Sequence, residues 1–188
     1  ALAMLRDVVV AGRGRSSDIF ALAELSFQHA EGTGKRSYFL ASAVYAYAFL
    51  FPGAEHHAPD AFDPRFRVAC DLYNRGIAAG FASADGSEVD LHAGSFALPF
   101  GTLDVDFDAA QLQKGSRVLA HFIPVAELDV RGMETRYRWP GIGAPLAAST
   151  EPIDPAQGFQ DLVVPWSKAA VTALLRIDSP RQQIVTDR

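Results

Sequence analysis

Two arginines and two glycines at short spacing are the residues of this chain best suited to chemistry. They lie in RYRWPGIGAPLAAST, residues 136–150, as Arg136, Arg138, Gly141 and Gly143. On an extended backbone the two arginines project from one face, where their guanidinium groups can clamp a carboxylate or a phosphate. Glycines at positive φ turn backbone N–H groups toward one point and form an anion-binding nest. The segment is therefore a candidate substrate-binding or interface loop.

The same segment also has a purely structural interpretation, which its composition favours. Glycine and proline in such loops mostly satisfy turn geometry, and long arginine side chains extend over neighbouring rings such as Tyr137 and Trp139. We expect the segment to be too rich in glycine and proline for a helix or a central strand. Both interpretations stay open at this stage.

Two acidic clusters suggest metal binding, but neither has a suitable ligand pattern. Asp104, Asp106 and Asp108 alternate as in a calcium loop, yet an EF-hand needs glycine at its sixth position and glutamate at its twelfth. Alanine and glycine stand there instead, which favours the solvent-facing side of a strand. Residues 54–63, AEHHAPDAFD, hold adjacent histidines whose side chains seldom converge on one ion. We predict no metal and no cofactor.

Recognisable nucleophile motifs do not occur in the sequence. It contains no G-x-S-x-G elbow and no H-E-x-x-H, and GRGRSS at 12–17 lacks the G-K-[ST] ending of a phosphate-binding loop. His121, in LAHFIP, is typical of a hydrogen-bonded, half-buried histidine more than of a general base. Cys70 lies among apolar neighbours and is expected to be a buried, inert thiol. We therefore predict no catalytic residue in this segment.

The composition is that of a globular protein of one domain or two small ones. The chain has 188 residues, of which 49% are hydrophobic and 21% charged, and its net charge is −5. A protein with this net negative charge has no overall positive potential to attract a polyanion, so we predict no nucleic-acid partner. The longest apolar stretch, 38–51, falls short of the roughly 20 residues that span a bilayer. A membrane contact would need an anchor outside this segment.

Helical patterns fill residues 1–85. One helix begins near Ser16 or Ser17 and stops at Gly32 and Gly34, and a second, apolar on nearly every side, stops at a proline and a glycine. A third begins with Asp63 as cap and proline in its first turn. The alanines of the second helix allow neighbours to approach closely. We predict a helical hairpin plus one helix, packed as in tetratricopeptide repeats.

Residues 86–188 show short alternating runs with glycine, proline or aspartate between them, which indicate strands. In TLDVDFD the apolar side chains alternate with aspartates, so that they point to opposite faces. We predict an α+β fold in which the helices pack on a small, mostly antiparallel or mixed sheet. The composition shows no flexible linker near residue 86, so the two parts are expected to form one packed unit.

As a set, five stretches resemble the N-terminal region of bacterial proteins of the α/β-hydrolase, esterase/lipase-like type. They are IFALAELSFQHAEGTGKRSYFLASAVYAYAFLFP, DPRFRVACDLYNRGIAAGF, LPFGTLDVDFD, IPVAELDVRGMETRYRWPGIGAPLAAST and AVTALLRID. The resemblance implies a secretory or lipoprotein-type leader before this region and a hydrolase domain with a Gly-His-Ser-Met-Gly elbow after it. Neither is in this sequence, so no residue of a catalytic triad can be assigned here.

The resemblance implies a role for this segment as a non-catalytic accessory region. It would support an envelope-associated bacterial serine hydrolase that acts on esters or lipids, and its partner would be that catalytic domain. The loop containing Arg136 and Arg138 would then help to line the entrance of the active site. The alternative is a stand-alone module whose helical hairpin binds a protein. A third possibility is a small-ligand binder, which requires a pocket within the segment.

Overall fold

The computed structural model describes residues 2–54, 56–127, 140–154 and 168–186, and it confirms the α+β fold. The helices in these ranges are α1 Leu2–Val8, α2 Ser16–Thr33, α3 Arg36–Leu50, α4 Pro64–Gly80 and α5 Pro180–Thr186. The strands are β1 Gly94–Leu98, β2 Gly101–Val105, β3 Gln113–Lys114, β4 Arg117–Pro124, β5 Ala144–Pro152 and β6 Ala169–Ala173. Among the described residues, no helix has the length and apolar composition needed to cross a bilayer.

Capping residues determine where the long helices begin and end. The Asp63 carboxylate accepts a hydrogen bond from the Arg65 amide at 2.9 Å, which confirms it as the cap of α4. Gly34 ends α2 in the left-handed region at φ 69°. The expected serine cap of α2 is wrong: Arg15 is the N-cap residue, and the Asp18 carboxylate accepts its backbone amide at 2.8 Å. Both serines lie inside the first turn, where Asp18 replaces their hydroxyls as the capping acceptor.

Helix α3 is buried between α2 and α4, as its apolar composition predicts. Its crossing with α4 is close because Gly76 has no side chain: a Cβ there would lie 2.8 Å from the Phe39 carbonyl oxygen. On the other side, the buried Ser42 hydroxyl donates to the Ala23 carbonyl of α2 at 2.8 Å. The three helices therefore form one tightly packed layer.

The strands form two antiparallel sheets. β1 and β2 make a hairpin, and the four-stranded sheet has the order β3-β4-β5-β6. In β2, Leu103 and Val105 are partly buried while Asp104 is exposed, so the predicted alternation is confirmed. Aromatic rings join this hairpin to the helices: Phe81 packs edge-on against Phe96, with ring centroids 4.8 Å apart.

Strand β5 corrects the expectation that residues 136–150 exclude a central strand. It pairs with β4 on one side and β6 on the other, although it contains two prolines. The ladder with β4 ends at Leu146 and the ladder with β6 ends at Ala148. Pro145 and Pro152 therefore lie where β5 has a neighbour on one side only, so neither proline interrupts a two-sided ladder.

The second part of the chain returns to the helical layer through α5. Ile184 of α5 is buried in the common core, and the Arg181 guanidinium donates to the Ser16 hydroxyl at the start of α2, at 2.7 Å. Residues from both sides of position 86 therefore contribute to one hydrophobic core, which fixes the helices against the strands.

Candidate functional site

The structure describes only half of the predicted loop site. Gly141 and Gly143 lie in the turn that leads into β5, whereas Arg136 and Arg138 lie outside the described residues. The guanidinium clamp therefore stays a prediction. In the glycine half of the site, a side chain of α4 binds the backbone.

Asn74 of α4 holds both glycines through its side-chain amide. Its Nδ2 donates to the Gly141 carbonyl oxygen at 2.8 Å, and its Oδ1 accepts the Gly143 amide at 2.7 Å. The side chain is buried, with 6% of the residue exposed. The Gly143 amide is therefore engaged, and an anion bound in the proposed nest would first have to displace Asn74.

Gly143 occupies a position that only glycine fits without strain. Its φ is 116°, which side-chain-bearing residues rarely adopt, and a Cβ there would overlap Cγ2 of Thr172 in β6. In this structure the glycine serves the turn and the close approach of two strands. This is the structural role that the composition of the loop favours.

The residue before Asn74 makes a second polar contact with the sheet. The Tyr73 hydroxyl accepts the Leu175 amide at 2.7 Å and donates to the Leu175 carbonyl at 2.6 Å, just after β6. Burial raises the pKa of Tyr73, so the phenol is neutral and keeps its proton for this bond. Tyr73 and Asn74 together form a clamp between α4 and the sheet, which the sequence patterns did not predict.

His121 forms a second polar cluster on the exposed side of the sheet. It lies in β4 at a bulge, where the pairing with β5 shifts between Ala120 and Ile123, and its φ of 53° is unusual for a non-glycine residue. Its Nδ1 is 2.8 Å from Oε1 of Glu88, and its Nε2 is 3.0 Å from Oε1 of Glu151. These hydrogen bonds raise the pKa of His121, that with Glu88 most strongly. The histidine is hydrogen-bonded as predicted, and 52% of its side chain is exposed.

A cleft of about 330 Å³ lies between the helices and the segment that follows α4. Its apolar wall is made of Phe39, Ala78, Ala79 and Ala82. Three charged side chains also line it: Arg36, Asp85 and Glu88. Because hydrogen bonds from Ser83 and Ser87 lower the pKa of Asp85 to about 2, its carboxylate is charged at neutral pH. The cleft is at the small end of the range for ligand pockets.

The acidic residues considered for metal binding make structural hydrogen bonds. Asp104 accepts the Ser95 hydroxyl across the β1–β2 hairpin, and Asp108 accepts the Ala110 amide at 2.9 Å. Within the described ranges, no group of three or more His, Cys, Asp or Glu side chains has a geometry that can hold an ion. Cys70 is buried, and desolvation raises the pKa of its thiol, as expected of an inert cysteine.

Three exposed phenylalanines lie at one end of the packed helices α3 and α4. Phe51 follows α3 and is 46% exposed, Phe62 precedes α4 and is 94% exposed, and Phe66 in the first turn of α4 is 37% exposed. The two helix ends meet here, because the Arg65 guanidinium lies 5.5 Å from the centre of the Phe49 ring. We call Phe51, Phe62 and Phe66 the hairpin-end surface.

Comparison with protein-family models, with curated proteins and with solved structures gave no match. The resemblance to the N-terminal region of α/β-hydrolase-type proteins therefore rests on the sequence stretches alone and stays a prediction.

Proposed function

We propose that this chain is a non-catalytic docking unit that binds a protein through the hairpin-end surface. The exposure of Phe62 carries the proposal. A fully exposed phenylalanine is unfavourable in water, and its burial in a partner's pocket gains roughly 1.5–3 kcal/mol. Aromatic side chains of this kind are frequent anchors of protein interfaces.

The turn that presents Phe62 is held by hydrogen bonds, which supports a binding role. The Asp60 carboxylate accepts the Phe62 amide at 2.8 Å, and the Asp63 amide donates to the Asp60 carbonyl at 2.9 Å. The Arg65 guanidinium donates hydrogen bonds to both carboxylate oxygens of Asp63. A backbone held in this way loses little conformational freedom on binding, so more of the burial energy of Phe62 is available for affinity.

The sequence resemblance supplies the first partner to test, an α/β-hydrolase domain of the serine esterase or lipase type. On this proposal the unit belongs to a bacterial cell envelope, and it supports the catalytic domain without contributing a catalytic residue. The loop with Arg136 and Arg138 would contact the same domain. The gene provides the simplest check: a coding sequence that continues into a hydrolase domain, or lies beside one, would support this partner.

The test is a binding measurement between this chain and the separately purified hydrolase domain. Phe62→Ala should weaken binding about 30-fold or more, which is the effect of losing an anchor worth about 2 kcal/mol. Ile153→Ala is the matched control, because Ile153 is an exposed apolar residue (50%) beyond the end of β5. Equal losses in both variants, or none in Phe62→Ala, would contradict docking through this surface.

The second candidate is a stand-alone interaction module, and the distribution of exposed apolar residues favours it as well. Of the large exposed hydrophobic residues in the part of the chain that the structure describes, Ile153 and Leu174 lie in the β part, and the others lie in residues 4–68 of the helical part. Binding through the helices does not require a hydrolase. If the hydrolase domain does not bind while Phe62-dependent binding to another protein is found, this second candidate holds.

A further inference from the structure

The protonation state of His121 follows from its geometry. Both ring nitrogens lie within 3.0 Å of a carboxylate oxygen, one on Glu88 and one on Glu151. Carboxylate oxygens are acceptors only, whereas a neutral imidazole has one N–H and one lone pair. Only the doubly protonated imidazolium donates to both glutamates, so this arrangement is that of the charged histidine.

We propose that the Glu88–His121–Glu151 bridge is a pH-operated latch, which holds the segment between α4 and β1 on the sheet while His121 is charged. When His121 loses a proton, both glutamates lose the attraction of the imidazolium charge, and one ring nitrogen presents its lone pair to a carboxylate, which has to move away. The latch joins three parts of the chain, since Glu88 follows α4, His121 is in β4 and Glu151 is in β5.

The latch acts beside a backbone contact that it can reinforce. Val89, next to Glu88, donates its amide to the carbonyl of Phe122, next to His121, at 2.7 Å. This contact is an isolated bridge and not part of a continuous ladder. Loss of the imidazolium charge removes the ion pair with Glu88, so the Val89–Phe122 bond should open more often.

Loss of this ion pair also changes the cleft, because Glu88 lines it. With the latch closed, the single positive charge of the imidazolium offsets one of the two negative charges of Glu88 and Glu151. With the latch open, that offset is lost, and the bridge beside the cleft becomes more negative by one charge. A proton bound at His121 therefore controls both the attachment of this segment and the charge of the cleft.

The charged groups around His121 determine the direction of the pH dependence. Glu88 faces it from the segment after α4 and Glu151 from β5, while Lys168, before β6, donates to the Ser149 hydroxyl on the same face of β5. The two carboxylates raise the folded-state pKa of His121 above its ordinary value of about 6.5. The stabilisation is therefore complete below about pH 6.5 and is lost as the pH rises through the raised pKa.

The test is an NMR titration of the whole chain from about pH 5 to about pH 9, which spans the histidine range. The His121 ring signals give its titration midpoint, and hydrogen exchange gives the protection factor of the Val89 amide. We expect a midpoint above the ordinary value, a lower midpoint in both Glu88→Gln and Glu151→Gln, and Val89 protection that falls over the same pH interval.

Two variants separate the latch from a general effect of pH. His121→Asn removes the titrating ring with a residue that tolerates the positive φ, and it should abolish the pH dependence of Val89 protection. His92→Asn is the matched control, because His92 pairs with Asp90 alone among the ion pairs described, at 3.3 Å. A His121 midpoint unchanged in both Gln variants would overturn the proposal, as would pH-dependent Val89 protection that persists in His121→Asn.

Discussion

Replacement of Asn74 by alanine tests whether the clamp between α4 and the sheet stabilises the fold. The change removes the partners of two backbone groups, the Gly141 carbonyl and the Gly143 amide. An unsatisfied buried group costs about 1–3 kcal/mol, so the free energy of unfolding should fall by about 2–4 kcal/mol, since the Gly141 bond is only partly buried. For a chain of this size, that lowers the melting temperature by roughly 4–16 °C.

Thermal unfolding followed by circular dichroism at one fixed pH measures this change. Arg67→Ala is the control, because Arg67 is exposed on the same helix and its loss should stay within about 0.5 kcal/mol. Asn74→Asp keeps the acceptor for Gly143 but sets a carboxylate oxygen against the Gly141 carbonyl, so it should also destabilise. If Asn74→Ala melts within about 1 °C of Arg67→Ala, which is the scale of a surface change, the clamp contributes nothing and the reasoning is refuted.

Two further predictions concern Gly143 and Cys70. Gly143→Ala should lower the free energy of unfolding by more than about 1 kcal/mol, because it combines strain at positive φ with an overlap on β6. Gly86→Ala, at φ 78° with open space around it, should cost less in the same urea unfolding assay, and equal losses would mean that the overlap has no effect. Cys70 should react with a thiol reagent at about pH 8 only as fast as the protein unfolds, since burial and Asp71 raise the pKa of its thiol. Reaction of the native protein at the rate of a free thiol would contradict the buried position.

Features that depend on adjacent residues could be predicted from the sequence. The cap at Asp63 and the stop at Gly34 follow from the hydrogen bonds and φ angles that those residue types permit. The alternation in β2 follows from the two-residue period of a strand. The cap of α2 shows the limit of such signals, because Ser16, Ser17 and Asp18 all carry capping oxygens and the sequence does not indicate which one binds the helix N-terminus.

Features that depend on the stagger between distant strands could not be predicted. A proline in β5 is acceptable or disruptive according to whether a neighbouring strand extends past it. The end of β4 at Pro124 and the start of β6 at Ala169 decide that, and both are remote in the sequence. Each proline of β5 pairs with one neighbouring strand only, as the rule that prolines avoid central strands requires. The prediction was wrong because it excluded the whole segment from a central strand.

The candidate site shows the same division between local and remote information. Asn74 lies on the buried stripe of α4 with Cys70, Tyr73 and Ile77, and a buried amide must find partners. That signal indicates a contact but cannot identify Gly143, which is 69 positions away. Because adjacent residues of one helical turn bind the turn before β5 and the segment after β6, separation of the sheet would leave both polar groups of α4 unpaired. The helical and β parts should therefore unfold in a single transition, although one half of the sequence has helical patterns and the other half has strand patterns.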